Sequence, residues 1–128
     1  MLTRTKKQVL YDTNLPDNKP YYIGNSDSVI LLVTVKNAGT GGFITFNGSA
    51  DENRFDPAQA SGENNFFTKI ATHDLDTGKT YEGSIGISVA TPKLVQLEVN
   101  SRFLNYLSVD TSMSNGAIIK IDVVCIQN

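Results

Sequence analysis

The stretch HDLDTGKTYE, residues 73–82, holds most of the side chains in this chain that could do chemistry. Asp76-Thr77-Gly78 is the tripeptide with which aspartic proteases place a catalytic carboxylate, and a homodimer would bring two such groups together to share one proton. That loop needs a small apolar residue after the glycine, and Lys79 stands there. A tight turn accounts for the tripeptide better. Asp74, Asp76 and Glu82 offer oxygens suited to calcium, but the D-x-D-x-D-G spacing of an EF-hand loop is not met. Asp51, Glu52 and Asp56 in DENRFD form a second acidic group of the same kind. His73 is the one histidine and Cys125 the one cysteine. This excludes metal sites built from several histidines and any disulfide within the chain. A thiol triad from Cys125, His73 and a distant Asp is conceivable on paper. Cys125, however, sits on the apolar face of the last strand-like run, where a small buried side chain is the expectation. No GxSxG, Walker loop or C-x-x-C occurs. The expectation is a protein that is not an enzyme and carries no cofactor and no metal.

The elements that must position these residues are strands. At 128 residues, with 40% hydrophobic and 19% charged side chains, the chain has the composition of one globular domain rather than of a disordered segment. The net charge of −2 gives no basic field over the domain, so nucleic acid is not an expected partner. No run approaches a membrane span, and the charged start is not followed by the apolar stretch of a signal peptide. Folding in a reducing cytoplasm is the expectation.

Helical periodicity is weak throughout, and period-two alternation recurs. SVILLVTVKN sets Val29, Leu31, Val33 and Val35 on one face; Ile30 and Leu32 are also apolar, which predicts a strand covered on both sides. GFITFNGS sets Ile44 and Phe46 against Phe43. FFTKIATHDL alternates untidily. KTYEGSIGISVA reads as one strand, with Tyr81, Ile85, Ile87 and Val89 on a face. KLVQLEVNS sets Val95, Leu97 and Val99 against Gln96 and Glu98. FLNYLSVDTS sets Phe103, Leu107 and Val109 on a face, and GAIIKIDVVCIQ sets Ile119, Ile121, Val123 and Cys125 on another. Asp76-Thr77-Gly78 and Asn115-Gly116 are turn signals, and the second predicts a hairpin joining the last two strands. The fold class is therefore all-β: an antiparallel β-sandwich or jelly roll with an extended N-terminal arm, a closed barrel being the alternative. Residues 47–65 read as a long polar loop pinned by Phe55, either a solvated excursion or a contact loop. Tyr21 and Tyr22, adjacent on a strand, must face opposite ways, and the chain has no Trp for a sugar platform.

TRTKKQVLYDTNLPDN, residues 3–18, is basic, then polar, then stopped by proline. Residues 1–20 form the arm and residues 21–128 the β-sandwich domain. The arm reads in two ways. It is either a segment that docks on a neighbour by strand addition, anchored by Val9, Leu10, Tyr11 and Leu15 with Arg4, Lys6 and Lys7 pairing acidic groups, or the first edge strand, its lysines guarding against aggregation. Phe55 joins these as a candidate partner-binding residue.

The same opening is similar to the N-terminal segments of virion proteins of tailed bacteriophages. ITFNGSADENRFDP resembles the strand-and-loop pattern of small phage β-sandwich domains through Gly48, Ser49, Asp51, Phe55 and Pro57. FLNYLSVDTSMSNGAIIKIDVVCIQ resembles their closing hairpin through Val109, Asp110 and Ser112. The resemblance implies a non-enzymatic structural protein of a phage particle: a capsid decoration or head-auxiliary protein on the major capsid protein, or a tail or baseplate component. It implies a homo-oligomer, with a trimer as one form, located in the virion and assembled in the host cytoplasm. A carbohydrate-binding module at a tail tip is the reading from a different class.

Overall fold

Alternation dictates the centre of the molecule. Val29, Leu31, Val33 and Val35 are all buried, with half-buried residues between them, so this strand has one face in the core and the other near the surface. The computed structural model describes residues 3–15, 20–24, 26–36, 42–50, 67–87, 93–112, 114 and 116–127. Its strands, in chain order, are β1 (Thr3–Arg4), β2 (Gln8–Asp12), β3 (Tyr21–Tyr22), β4 (Ser28–Val35), β5 (Gly42–Ser49), β6 (Thr68–Lys69), β7 (Ala71–Asp74), β8 (Thr80–Glu82), β9 (Ser84–Ile87), β10 (Lys93–Asn100), β11 (Tyr106–Asp110) and β12 (Ile118–Gln127).

They form two antiparallel sheets packed face to face, a β-sandwich. In the seven-stranded sheet β1 and β2 lie along one edge of β12, followed by β4, β10, β7 and β8. In the five-stranded sheet β3, β11 and β5 follow one another, and β6 and β9 share the far edge of β5. The core lies between them. Leu31, Leu97, Ile121 and Val123 come from the larger sheet, and Ile44, Phe46 and Leu107 from the smaller. Cys125 is a free thiol buried in the same core. Burial raises the Tyr21 phenol above its ordinary pKa, and Cys125 adds to that rise.

Five expectations are corrected by the tertiary structure. KTYEGSIGISVA is two strands: β8 belongs to the larger sheet and β9 to the smaller, with the break at Gly83, where φ is 122°. FFTKIATHDL breaks likewise at Ile70, between β6 and β7. The β7–β8 hairpin therefore leaves the edge of one sheet and joins the other, and the backbone N–H of Ile70 still donates to the carbonyl of Phe46, 3.1 Å away. The predicted hairpin of the last two strands is absent, since β11 pairs with β3 and β5 while β12 pairs with β1, β2 and β4. The connection crosses between sheets, through bonds from Ser114 to Thr111 and from Ala117 to Ser114. Asn115 lies outside the described residues; Gly116 has the left-handed φ of 70° expected of a turn. Along β12 the register shifts between Ile118 and Lys120, so Ile118 rather than Ile119 fills the core. Phe103 sits in the turn before β11, 81% exposed, and not on the strand's apolar face.

The opening segment pairs with its own chain. Thr3 and Arg4 lie opposite Gln127 and Ile126, and Gln8–Asp12 lies opposite Lys120–Val123. The Thr5 N–H donates to the Cys125 carbonyl, and the Cys125 N–H donates to Thr5 Oγ1, both at 3.0 Å. Thr13 N–H closes the far end on the Ile119 carbonyl. Val9 opposes Asp122 and Tyr11 opposes Ile121, which leaves Leu10 as the extra residue of a bulge. Leu10 is 3% exposed and belongs to the core. Leu10→Ala is expected to cost about 2 kcal/mol, the lower end for a buried leucine because an edge strand can relax. Urea unfolding followed by circular dichroism measures it.

Candidate functional site

The turn that first suggests chemistry is built to hold itself. Asp74 is buried, and its Oδ1 accepts from the backbone N–H groups of Asp76 (2.8 Å) and Thr77 (3.2 Å). The Gly78 N–H donates to the Asp74 carbonyl, and the Asp74 N–H donates to that of Lys79. Gly78 takes a φ of 76°. Asp76-Thr77-Gly78 thus joins β7 to β8 as the turn expected of it, with the Asp74 carboxylate spent on backbone donors. His73 Nδ1 lies 3.1 Å from Thr80 Oγ1 on the opposite side of the sheet from the buried Cys125, so these two do not meet. Asp51, Glu52 and Asp56 lie outside the described residues, as does Phe55. Among the described residues no three metal-ligating side chains come together.

What the fold does assemble is an apolar surface on the outside of the seven-stranded sheet. Residues directly opposite one another on paired strands share a face. Register therefore aligns Arg4, Ile126, Ser28 and Asn100 in one row. Val124, Ile30, Glu98 and His73 form the next, and Asp122, Leu32 and Gln96 the third. Ile30, Leu32, Val124 and Ile126 are half-buried by their neighbours alone. With Arg4, Leu75, Gln96 and Glu98 they line a shallow depression of about 440 Å³. Ile30 and Leu32 announce this face in the sequence. Period-two alternation along the last strand does not mark their partners Val124 and Ile126, although the unbroken apolar run Val123–Ile126 carries the same signal. No described element covers the face from outside, so the predicted second cover of this strand is not met within the described residues.

Its rim is charged. Asp122 is buried beside the apolar strip, with Lys120 Nζ 3.5 Å from Oδ1 and Lys7 Nζ 3.8 Å from Oδ2. Those distances exceed those of a strong charge-assisted hydrogen bond, so the contact is chiefly Coulombic. Of the partner-binding candidates, Arg4, Lys6 and Lys7 are exposed, as are Val9 at 42% and Leu15 at 50%. Tyr11 is half-buried against the core, and Leu10 is inside it.

The five-stranded sheet carries a smaller depression on its outer face, lined by Phe43, Thr45, Ser84 and Asp110. Thr45 and Ser84 share a hydroxyl hydrogen bond of 2.7 Å. The Asp110 carboxylate accepts from the Ser112 N–H at 2.9 Å, and side-chain and backbone bonds from Ser112 hold its pKa below the ordinary aspartate value. A depressed folded-state pKa stabilises above the unfolded value and loses that increment as pH falls through the folded one. An NMR titration is expected to give Asp110 a midpoint below that of an ordinary aspartate, and Ser112→Ala is expected to move it up only in part, because the backbone bond remains.

By fold and surface the chain is an antiparallel β-sandwich that presents an apolar sheet face within a charged rim. No family model and no curated protein matches it by sequence. Among solved structures it is similar to the SPBc2 prophage-derived protein YomS, with a TM-score of 0.65 over 99% of this chain and 96% of that one. At 10% identity the likeness is one of fold.

Proposed function

We propose that this chain is a non-enzymatic structural protein of a phage particle, seated on the capsid as a decoration or head-auxiliary protein that binds the major capsid protein. The apolar outer face of the larger sheet carries the reading. Such a face is the surface of a protein that binds proteins. The likeness of fold to a prophage-derived protein supports the phage setting, as does the resemblance of the opening and closing segments to virion proteins.

The edge formed by β1 and β2 is the surface for the capsid. It is bonded through β12 on its inner side, it holds Arg4 and Lys6 in solvent, and Val9 and Leu15 are exposed apolar groups beside them. The test uses particles produced with the wild-type chain and with Val9→Ser/Leu15→Ser, a pair that leaves the core untouched. Mass spectrometry of purified particles and cryo-EM are expected to find the wild type on the head at symmetric occupancy and the variant depleted. Density at the tail or baseplate would move the seat. Complete absence from particles would overturn the proposal.

A further inference from the structure

Apart from Asp122, which is buried against Lys7 and Lys120, the charges around the apolar strip are sorted by side. Arg4 stands on the β1 and β2 edge, with Lys6 and Lys7 following it in the chain. On the other side stand Glu98 of β10 and, farther out, Glu82 of β8, which pairs with Ala71 of β7. Arg4 and Glu98 line opposite rims of one depression, and neither makes an ion pair with a described residue. Between them lie Ile126 and Val124 on β12 and Ile30 on β4.

A face with an apolar centre and rims of opposite sign is complementary to itself. Rotation about a two-fold axis parallel to the strands, running between β12 and β4, lays β12 of one copy over β4 of the other. It carries the β1 edge over β10 and brings Arg4 above Asn100, one row from Glu98. The same patch then serves on both protomers, as a closed two-fold interface requires. We infer that the outer face of the seven-stranded sheet is the interface of a homodimer, in which Ile30, Leu32, Val124 and Ile126 pack on a second copy and the long side chain of Arg4 of each protomer reaches one row along to Glu98 of the other. Two sheets meeting this way pack at the usual spacing of roughly 10 Å with strands aligned to within about 30°. The aliphatic strip supplies the buried area, and the two Arg4–Glu98 pairs set register and orientation. The inference deepens the proposed function and rests on it only in taking this face as a protein-contact surface. The partner it names is a second copy, which leaves the β1 and β2 edge for the particle.

Sedimentation velocity on the purified chain, across roughly 1–100 μM, reads the association directly. The wild type is expected to pass from monomer to dimer with rising concentration. Ile30→Asp is expected to weaken the dimer by more than about 100-fold, because a carboxylate would be buried in the centre with only Val124 and the like-charged Glu98 beside it in its row. Arg4→Glu and Glu98→Arg are each expected to weaken it roughly tenfold, and the double swap to return to within about threefold of wild type. All three positions lie off the core, and circular dichroism checks that each variant folds. If Ile30→Asp proves unstable, the charge swap decides alone. A wild type that stays monomeric, a trimer, or a dimer indifferent to the swap would overturn the inference. A monomer in solution that is nonetheless found on particles would sink the dimer and leave the phage reading standing; a dimer never found on particles would do the reverse.

Discussion

Phe46→Ala is expected to destabilise the protein by about 4 kcal/mol, the largest loss for any one side chain among the described residues. Phe46 is fully buried and heads the largest of the completely buried side chains. It sits near the middle of β5, opposite Val109 on β11, and its carbonyl receives the Ile70 N–H where the β7–β8 hairpin departs. Strands on both sides hold β5, so the surrounding backbone has little freedom to collapse into the space left by the ring. The cost is therefore transfer of the side chain plus a retained cavity. Phe46→Leu is expected to lose only roughly 1–2 kcal/mol, since most of the volume is kept. Urea unfolding should show the midpoint falling with an unchanged slope. A loss for Phe46→Ala below about 1 kcal/mol would mean that the two sheets are not packed on this ring.

Gly83→Val is the second large effect, expected at about 3 kcal/mol and for a different reason. At φ 122° a residue with a side chain is strained, and a β-branched one most of all. Space is not the difficulty, since the nearest atom to an added Cβ is Lys69 Cδ at 3.8 Å. The cost falls on the backbone at the point where the chain leaves one sheet for the other. Gly83→Ala should show a large part of it, which separates strain from crowding. A D-alanine at this position, introduced by chemical synthesis, should restore stability. Near-wild-type stability for Gly83→Val, measured by the same urea titration, would show that the crossing does not need this conformation.

These two positions also show what could be read from residues alone. Ile44 and Phe46 alternate with Phe43, so their burial and the 53% exposure of Phe43 follow from a period of two. The same rule places Val29 to Val35 and Val95 to Val99, and Asp76-Thr77-Gly78 is a turn by composition. Gly83 is another matter. In KTYEGSIGISVA the alternation of Tyr81 with Ile85 continues through the glycine, so nothing in the pattern marks a change of sheet. Leu10 is similar: a bulge shifts which residue faces inward, and alternation has no means of announcing one.

Of the candidate surface, half was legible. Ile30 and Leu32 stand out because a strand with polar residues on its outer face would not carry them. That Val124 and Ile126 lie beside them depends on β12 pairing with β4 rather than with β11, and Asn115-Gly116 points to β11. Arg4 and Glu98 are 94 positions apart in sequence and share a rim only through that same pairing.

The sequence by itself determined that this is an all-β antiparallel fold, which residues of each strand are apolar, and where several of its turns lie, because these are local consequences of side-chain period and turn chemistry. Only the tertiary structure decided which strands are neighbours, where β6–β7 and β8–β9 change sheets, that the opening segment pairs with its own last strand, and that four aliphatic side chains meet on one outer face. Strand pairing joins residues far apart in the chain, and its hydrogen bonds are made by a backbone that is the same at every residue. The choice among pairings is made by the packing of the whole core.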